Sequence, residues 1–320
     1  MFHMMKPAEA RLNDFTEGFG IVAESSITID HNKLDAAPPI AAGDFVTVGF
    51  TPFVGLFRQS KYLPIRYCPI QLELEIVNLS NEAVIGNLTP PTANDRSESF
   101  LIENVQLKCD LVDLDNSIDN EYTAYLMEGK ILPIQYTGVS TGSQIFRDMK
   151  TDIHVSRSLS RLKAVFMTML YTDLTAATFR GSEIMERFWH PMAGTFDSDK
   201  EVELQIQIGS KLYPEYPIRS LSEAFYQLRK TLGLHFGNDS LNIHRFCYYT
   251  NAFVAAIDLE KVLGASFSGM NTMSGDLLTI RMKSANGTIT LDPNLSYSMF
   301  YTLVFDNILE ISLTNCRVLE

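Results

Sequence analysis

Gly138-Val-Ser-Thr-Gly142 has the G-x-S-x-G spacing of a nucleophile elbow. In that device a serine projects from a strained turn between a buried parallel strand and a helix, where it can attack an acyl carbon. Ile131–Tyr136 supplies a strand pattern in front of the motif, but Ser143–Thr151 behind it has no apolar stripe to make the helix. His154, His190, His235 and His244 follow downstream as partners for Ser140 by number alone. The chain also lacks the strand–helix alternation of such hydrolases. The segment therefore reads as a flexible Gly/Ser/Thr loop, with acyl transfer at Ser140 kept as a lesser hypothesis.

The other chemical candidates are weaker. Asp113-Leu-Asp-Asn-Ser-Ile-Asp119 opens like a calcium loop, but Ile118 stands where the turn needs glycine and Ala124 where it needs a bidentate glutamate. Acidity at a helix N-terminus explains the cluster better. The six histidines, His3, His31, His154, His190, His235 and His244, show no metal-binding spacing. Arg157, Arg161 and Lys163 form the densest basic patch, suited to a phosphate contact or, more simply, to a solvated or intersubunit strand face. No phosphate-binding glycine loop is present. Cys68, Cys109, Cys247 and Cys316 are scattered and read as buried reduced thiols, which favours a reducing compartment. Five glycosylation sequons, with no signal pattern at the start of the chain, read as chance matches in turns. No residue is assigned as catalytic, metal-binding or cofactor-binding, and no cofactor is expected.

The elements that would have to position any site are overwhelmingly strands. Ile70–Val77 and Val202–Ile208 alternate apolar residues with Glu and Gln, placing Ile70, Leu72, Leu74 and Ile76, and Val202, Leu204, Ile206 and Ile208, on core faces. Further strand patterns cover Phe45–Phe50, Phe100–Leu114, Ile131–Tyr136, Leu162–Tyr171, Phe246–Ile257, Asp276–Lys283, Tyr297–Phe305 and Ile308–Leu313. Two helices are expected. Ser220-Leu-Ser-Glu223 is a capping box before the stripe Leu221, Phe225, Leu228 and Leu232, stopped by Gly233. The other spans Ile118–Glu128, capped by Asn116 or Ser117, with Ile118, Tyr122, Tyr125 and Leu126 facing inward and Gly129 ending it. Long proline-bearing loops are expected at Asp30–Asp44, Leu88–Ser99 and Arg187–Lys200.

Composition bounds the function. The 320 residues carry 38 acidic against 26 basic side chains, a net charge of −12 that argues against a surface built to neutralise phosphates. The longest apolar run, Ala252–Ile257, is far too short to span a bilayer as a helix. Hydrophobic residues at 46% give ample material for a packed core.

Five stretches together point to a family: Tyr62-Leu-Pro-Ile-Arg-Tyr-Cys-Pro-Ile-Gln-Leu-Glu-Leu-Glu-Ile76; Ile102-Glu-Asn-Val-Gln-Leu-Lys-Cys-Asp-Leu-Val-Asp113; Ser158-Leu-Ser-Arg-Leu-Lys-Ala-Val-Phe166; Ser268-Gly-Met-Asn-Thr-Met-Ser-Gly-Asp-Leu-Leu-Thr279; and Leu303-Val-Phe-Asp-Asn-Ile-Leu-Glu-Ile311. In strand style and element order the chain resembles the double-jelly-roll major capsid proteins of tailless icosahedral DNA viruses and Polinton-like elements. The resemblance implies an all-β fold of two stacked antiparallel jelly rolls with two short packing helices, and the loop around Phe188–Lys200, or Tyr213–Pro217 just beyond it, sets the boundary, giving 1–198 and 199–320. It implies homotrimers of pseudo-hexagonal outline that tile an icosahedral shell beside neighbouring capsomers and a penton or minor capsid protein. It also implies a virion protein assembled in the host-cell interior, with no catalytic residues and no direct nucleic-acid binding. Twelve to fourteen strand patterns, against the sixteen of two rolls, leave three options: strands hidden in loops, one elaborated roll, or part of a longer coat protein. The competing reading is a jelly-roll carbohydrate- or ligand-binding module, motivated by Trp189, the paired tyrosines and the long loops.

Overall fold

The computed structural model describes residues 55–75, 101–173, 201–234, 253–260, 268–273, 277–287 and 289–320 without 294, plus single positions at 43, 45, 47–49 and 248. The loops expected at Leu88–Ser99 and Arg187–Lys200 lie outside these residues, as do His3, His31, His190, His235, His244, Trp189 and Cys247.

The described strands are β1 (Leu132–Phe146), β2 (Thr151–Val155), β3 (Leu162–Asp173), β4 (Val202–Ile208), β5 (Lys211–Ile218), β6 (Ala255–Asp258), β7 (Leu278–Ser284), β8 (Leu295–Ile311) and β9 (Cys316–Leu319). The helices are α1 (Gly55–Arg58), α2 (Asn116–Met127) and α3 (Leu221–Thr231). One sheet has the order β1-β8-β3-β6 and the other β2-β7-β4-β5, with every pairing antiparallel. That order is the double Greek-key path of an eight-stranded jelly roll. β9 is an addition: β3 lines β8 from Leu295 to Phe305, and β9 lines it from Ile308 to Ile311. The roll runs from Leu132 to Leu319 with residue 198 inside it, and each sheet takes strands from both sides of that residue.

The core lies between the sheets, where alternation delivers it. Val202, Leu204, Ile206 and Ile208 of β4 are all buried, as their spacing predicts, against Ile153, Val165, Met167, Ile280 and Met299 from the neighbouring strands. Their polar neighbour Glu203 is also buried, at 3% exposure, because Arg219 at 2.8 Å and Lys283 at 2.7 Å close over its carboxylate. α3 seals the open side of this core with Leu221, Ala224 and Leu228. Its cap forms as expected: Ser220 Oγ accepts from the Glu223 N–H at 3.1 Å. The Glu223 carboxylate reaches back one residue further, to the Arg219 N–H. Gly233, at φ +72°, turns the chain out so that the Leu234 N–H can close onto the Arg229 carbonyl.

Several expectations are corrected. Tyr297–Phe305 and Ile308–Leu313 are one strand, β8, because β1 pairs straight through Asp306 and Asn307 and holds that polar pair in the ladder. Ile131–Tyr136 likewise continues through the supposed Gly/Ser/Thr loop to Phe146. Ser143–Thr151, which lacked the stripe for a helix, is the end of β1, a bend and the first residue of β2. Ile70–Glu75 and Leu101–Leu114 have strand alternation yet join no ladder among the described residues, and Leu101, Val105 and Leu111 are 80%, 71% and 76% exposed. Alternation licenses a strand only where a partner edge is supplied. Phe45, expected in a strand, is exposed. α2 forms, but of its expected inner face only Leu126 is buried, and its N-cap is Asp115, without a side-chain cap bond.

A second, smaller cluster lies on the sheet formed by β1, β8 and β9. Ile134, Leu309 and Ile311 pack there against Leu56, Leu63, Tyr67, Cys68 and Cys316. Tyr67 also bonds the Thr123 hydroxyl of α2 at 2.8 Å, and Arg66 pairs with Asp119 on the same helix.

Candidate functional site: the Ser140–Arg157 cleft

Ser140 and Arg157, singled out separately in the sequence, meet. Arg157 Nη1 donates to Ser140 Oγ at 3.0 Å, and both line an open pocket of about 650 Å³ with Thr141, Ser156, Ser158, Tyr301 and Glu320. The strand context decides what Ser140 can do. It lies at the middle of β1, opposite Leu303 of β8, with no sharp turn and no following helix. The nucleophile-elbow geometry is therefore not built. His154 is on β2 and its Nδ1 shares a 3.1 Å hydrogen bond with Thr279 on β7.

The glycines of the motif have another use. Gly138 lies opposite Phe305, and Gly142 opposite Tyr301. A β-carbon at Gly138 would come within 2.6 Å of the Phe305 ring and of Asn307 Nδ2. At Gly142 it would run into the Tyr301 ring itself. Each glycine is a space into which an aromatic ring on the facing strand folds, so the four-residue spacing is a packing pattern between β1 and β8.

The basic patch is consumed internally. Arg157 Nη2 pairs with the Glu320 carboxylate at 2.6 Å, and its guanidinium lies 5.1 Å from the centre of the Phe305 ring. Its Nε is buried without a hydrogen-bond partner. Arg161 donates to the backbone carbonyls of Asp306 at 3.3 Å and Leu319 at 3.1 Å, and Ser160 Oγ donates to the Glu320 carbonyl. Lys163 stands 2.8 Å from Glu260 and 3.6 Å from Asp306. Burial works against the Lys163 charge, yet the Glu260 hydrogen bond and the charges of Asp306 and Glu260 outweigh it and hold its pKa above 10.5. Ser156–Lys163 is thus a clasp that fastens β9 and β8 to β3, with Arg157 and Glu320 still 39% and 42% exposed. Sequence reasoning found the cations but missed Glu260, Asp306 and Glu320, which lie 97 or more residues away from their partners and carry no local signal.

The acidic cluster also turns inward: Ser117 Oγ donates to Asp115 at 2.9 Å, and Asp119 takes Arg66. Among the described residues no group of three or more His, Cys, Asp or Glu side chains is arranged to hold a metal ion.

Comparison with known proteins follows from this geometry. No family model matches the sequence, and no curated protein matches it. The chain is similar to solved capsid structures. PBCV-1 VP54, fitted into a reconstruction of the virophage Sputnik, matches at 11% identity over 64% of this chain and 54% of that one, with a TM-score of 0.39. The Faustovirus major capsid protein matches at 11% identity over 60% and 36%, TM-score 0.40. The Sputnik virophage structure matches at 12% identity over 59% and 38%, TM-score 0.35. The matched region spans about half the length of those chains or less. At identities of 11–12% and TM-scores no higher than 0.40, function has to come from this chain's own geometry.

Proposed function

We propose that the chain is a major capsid protein that trimerises and builds an icosahedral viral shell. One observation carries the reading: a complete jelly roll, an architecture used for capsid shells and for lectins, whose motif-bearing and most basic segments serve internal packing while strand-patterned apolar residues outside it stay uncovered. Leu101, Val105, Leu107 and Leu111, with Met127 of α2, are more than half exposed, which is the kind of surface that protein partners cover. The net charge of −12 suits a shell held by protein–protein contacts rather than by genome phosphates. In this proposal the described roll, whose sheets take strands from both sides of residue 198, is one of the two rolls of a capsid subunit. The partners are two further copies, neighbouring capsomers and a penton or minor capsid protein, and assembly takes place inside the host cell.

Light scattering on the purified protein is expected to give three times the mass of the 36.0 kDa chain, with three-fold particles in electron micrographs. Val105→Glu with Leu111→Glu is expected to return it to monomer. A wild-type chain that stays monomeric at micromolar concentration rejects the proposal.

A further inference from the structure

Cys68 and Cys316 are 248 residues apart in sequence and meet in the small cluster on the face of β1, β8 and β9. The Cys316 thiol donates to the carbonyl of Tyr67, the residue next to Cys68, at 3.2 Å, and both cysteines pack against Ile134, Leu309 and Ile311. Both side chains are half-buried and neither is disulfide-bonded. Each is fixed from its own side: Cys68 ends a tight turn closed by its N–H onto the Pro64 carbonyl, and Cys316 is paired with Ile311 in the β8–β9 ladder. Two thiols brought to one small cluster by independent pieces of backbone differ from the scattered, inert cysteines that their spacing suggested.

We propose that Cys68 and Cys316 are a modification site: a thiol pair that a low-molecular-weight disulfide oxidises to an intramolecular cross-link, locking the segment before α2 onto β9. The reaction balances by exchange. One cysteine, as thiolate, attacks the external disulfide and forms a mixed disulfide, releasing one small thiol. The second cysteine attacks the protein sulfur of that mixed disulfide, forming the Cys68–Cys316 bond and releasing the second small thiol. The two protein thiols lose two electrons and two protons, and the external disulfide gains them. Burial, with the neighbouring Cys316 thiol, raises the Cys68 pKa to about 11, so the Cys68 thiol stays protonated at neutral pH. Resting on the capsid reading, the bond would form when a particle leaves a reducing cell interior, fastening both ends of the described chain after assembly. A bridge over so long a loop restricts the unfolded chain strongly.

The full-length protein is incubated with oxidised glutathione, free thiols are alkylated, and the unreduced digest is mapped by mass spectrometry. The expected product is a Cys68–Cys316 linked peptide pair, with a melting temperature several degrees above that of the dithiothreitol-treated protein. Cys68→Ser and Cys316→Ser should each remove both effects. Recovery of both cysteines alkylated, separately glutathionylated, or linked instead to Cys109 or Cys247 overturns the proposal, and the wild-type map decides this even where a variant fails to fold. The trimer mass measured in reducing buffer tests the capsid reading separately.

Discussion

Lys163 shows how a single side chain is committed by its surroundings. It sits where β3 slips register against β8, between Leu162 and Ala164, and its ammonium bridges Glu260 and Asp306. Because its folded pKa lies above its unfolded value, the charged lysine stabilises the fold at every pH below about 10.5, and the gain is lost as pH rises through the folded pKa. Lys163→Met leaves two carboxylates, 20% and 12% exposed, without their cation. A loss of about 2–3 kcal/mol at neutral pH is expected in urea denaturation, in the range for breaking a largely buried pair. The difference between wild type and variant should shrink as the pH rises through the folded lysine pKa. A pH-independent difference would contradict this account. The three cations were legible in the sequence. Their carboxylate partners were not, because an ion pair across sheet neighbours leaves no trace in local spacing.

At the scale of elements, β1 and β8 are the longest pair and the most informative. Their fifteen-residue register sets Gly138 and Gly142 under Phe305 and Tyr301 and absorbs Asp306-Asn307 without a break. Gly142→Ala should cost about 1–3 kcal/mol, since the ring beside it must move. Ser140→Ala should change stability by less than about 1 kcal/mol, the loss of one part-exposed hydrogen bond. Denaturation midpoints showing the serine to matter more than the glycine would restore a special role for Ser140. The helices make the same point in another way. α3 was readable to within a residue because its cap and apolar stripe are local and agree. α2 was readable in extent, but its inner face was not, because which side of a helix is buried depends on what lies against it, and Tyr67 and Arg66 engage its polar side.

The whole molecule is organised by the roll between Leu132 and Leu319, whose sheets each mix early and late strands. Among the described residues, the strands of both sheets lie within 132–320, and residues 55–75 meet the roll at the small cluster around Ile134 and Ile311 and through Lys61, which bonds the Pro133 carbonyl at 3.3 Å. A chain cut to 132–320 is therefore expected to unfold in one cooperative step, with near-ultraviolet circular dichroism retained. Its melting temperature should fall by a few degrees, because Leu56, Leu63 and Tyr67 no longer cover that cluster. Loss of cooperativity in this fragment would mean that the roll depends on the residues before it. The uncovered apolar positions between Leu101 and Met127 belong to this scale as well, since a surface of that kind is relieved by association rather than by any change within one element.

By itself the sequence determined the β character, the core face of β4 and the full outline of α3, because each is written in residues within a few positions of one another. Only the tertiary structure decided that the G-x-S-x-G glycines are ring sockets, that the basic patch is a clasp and that Cys68 meets Cys316. It also decided that one roll crosses residue 198. These depend on antiparallel pairing between segments one to two hundred residues apart, and period-two alternation says which face is buried without saying which strand lies beside it.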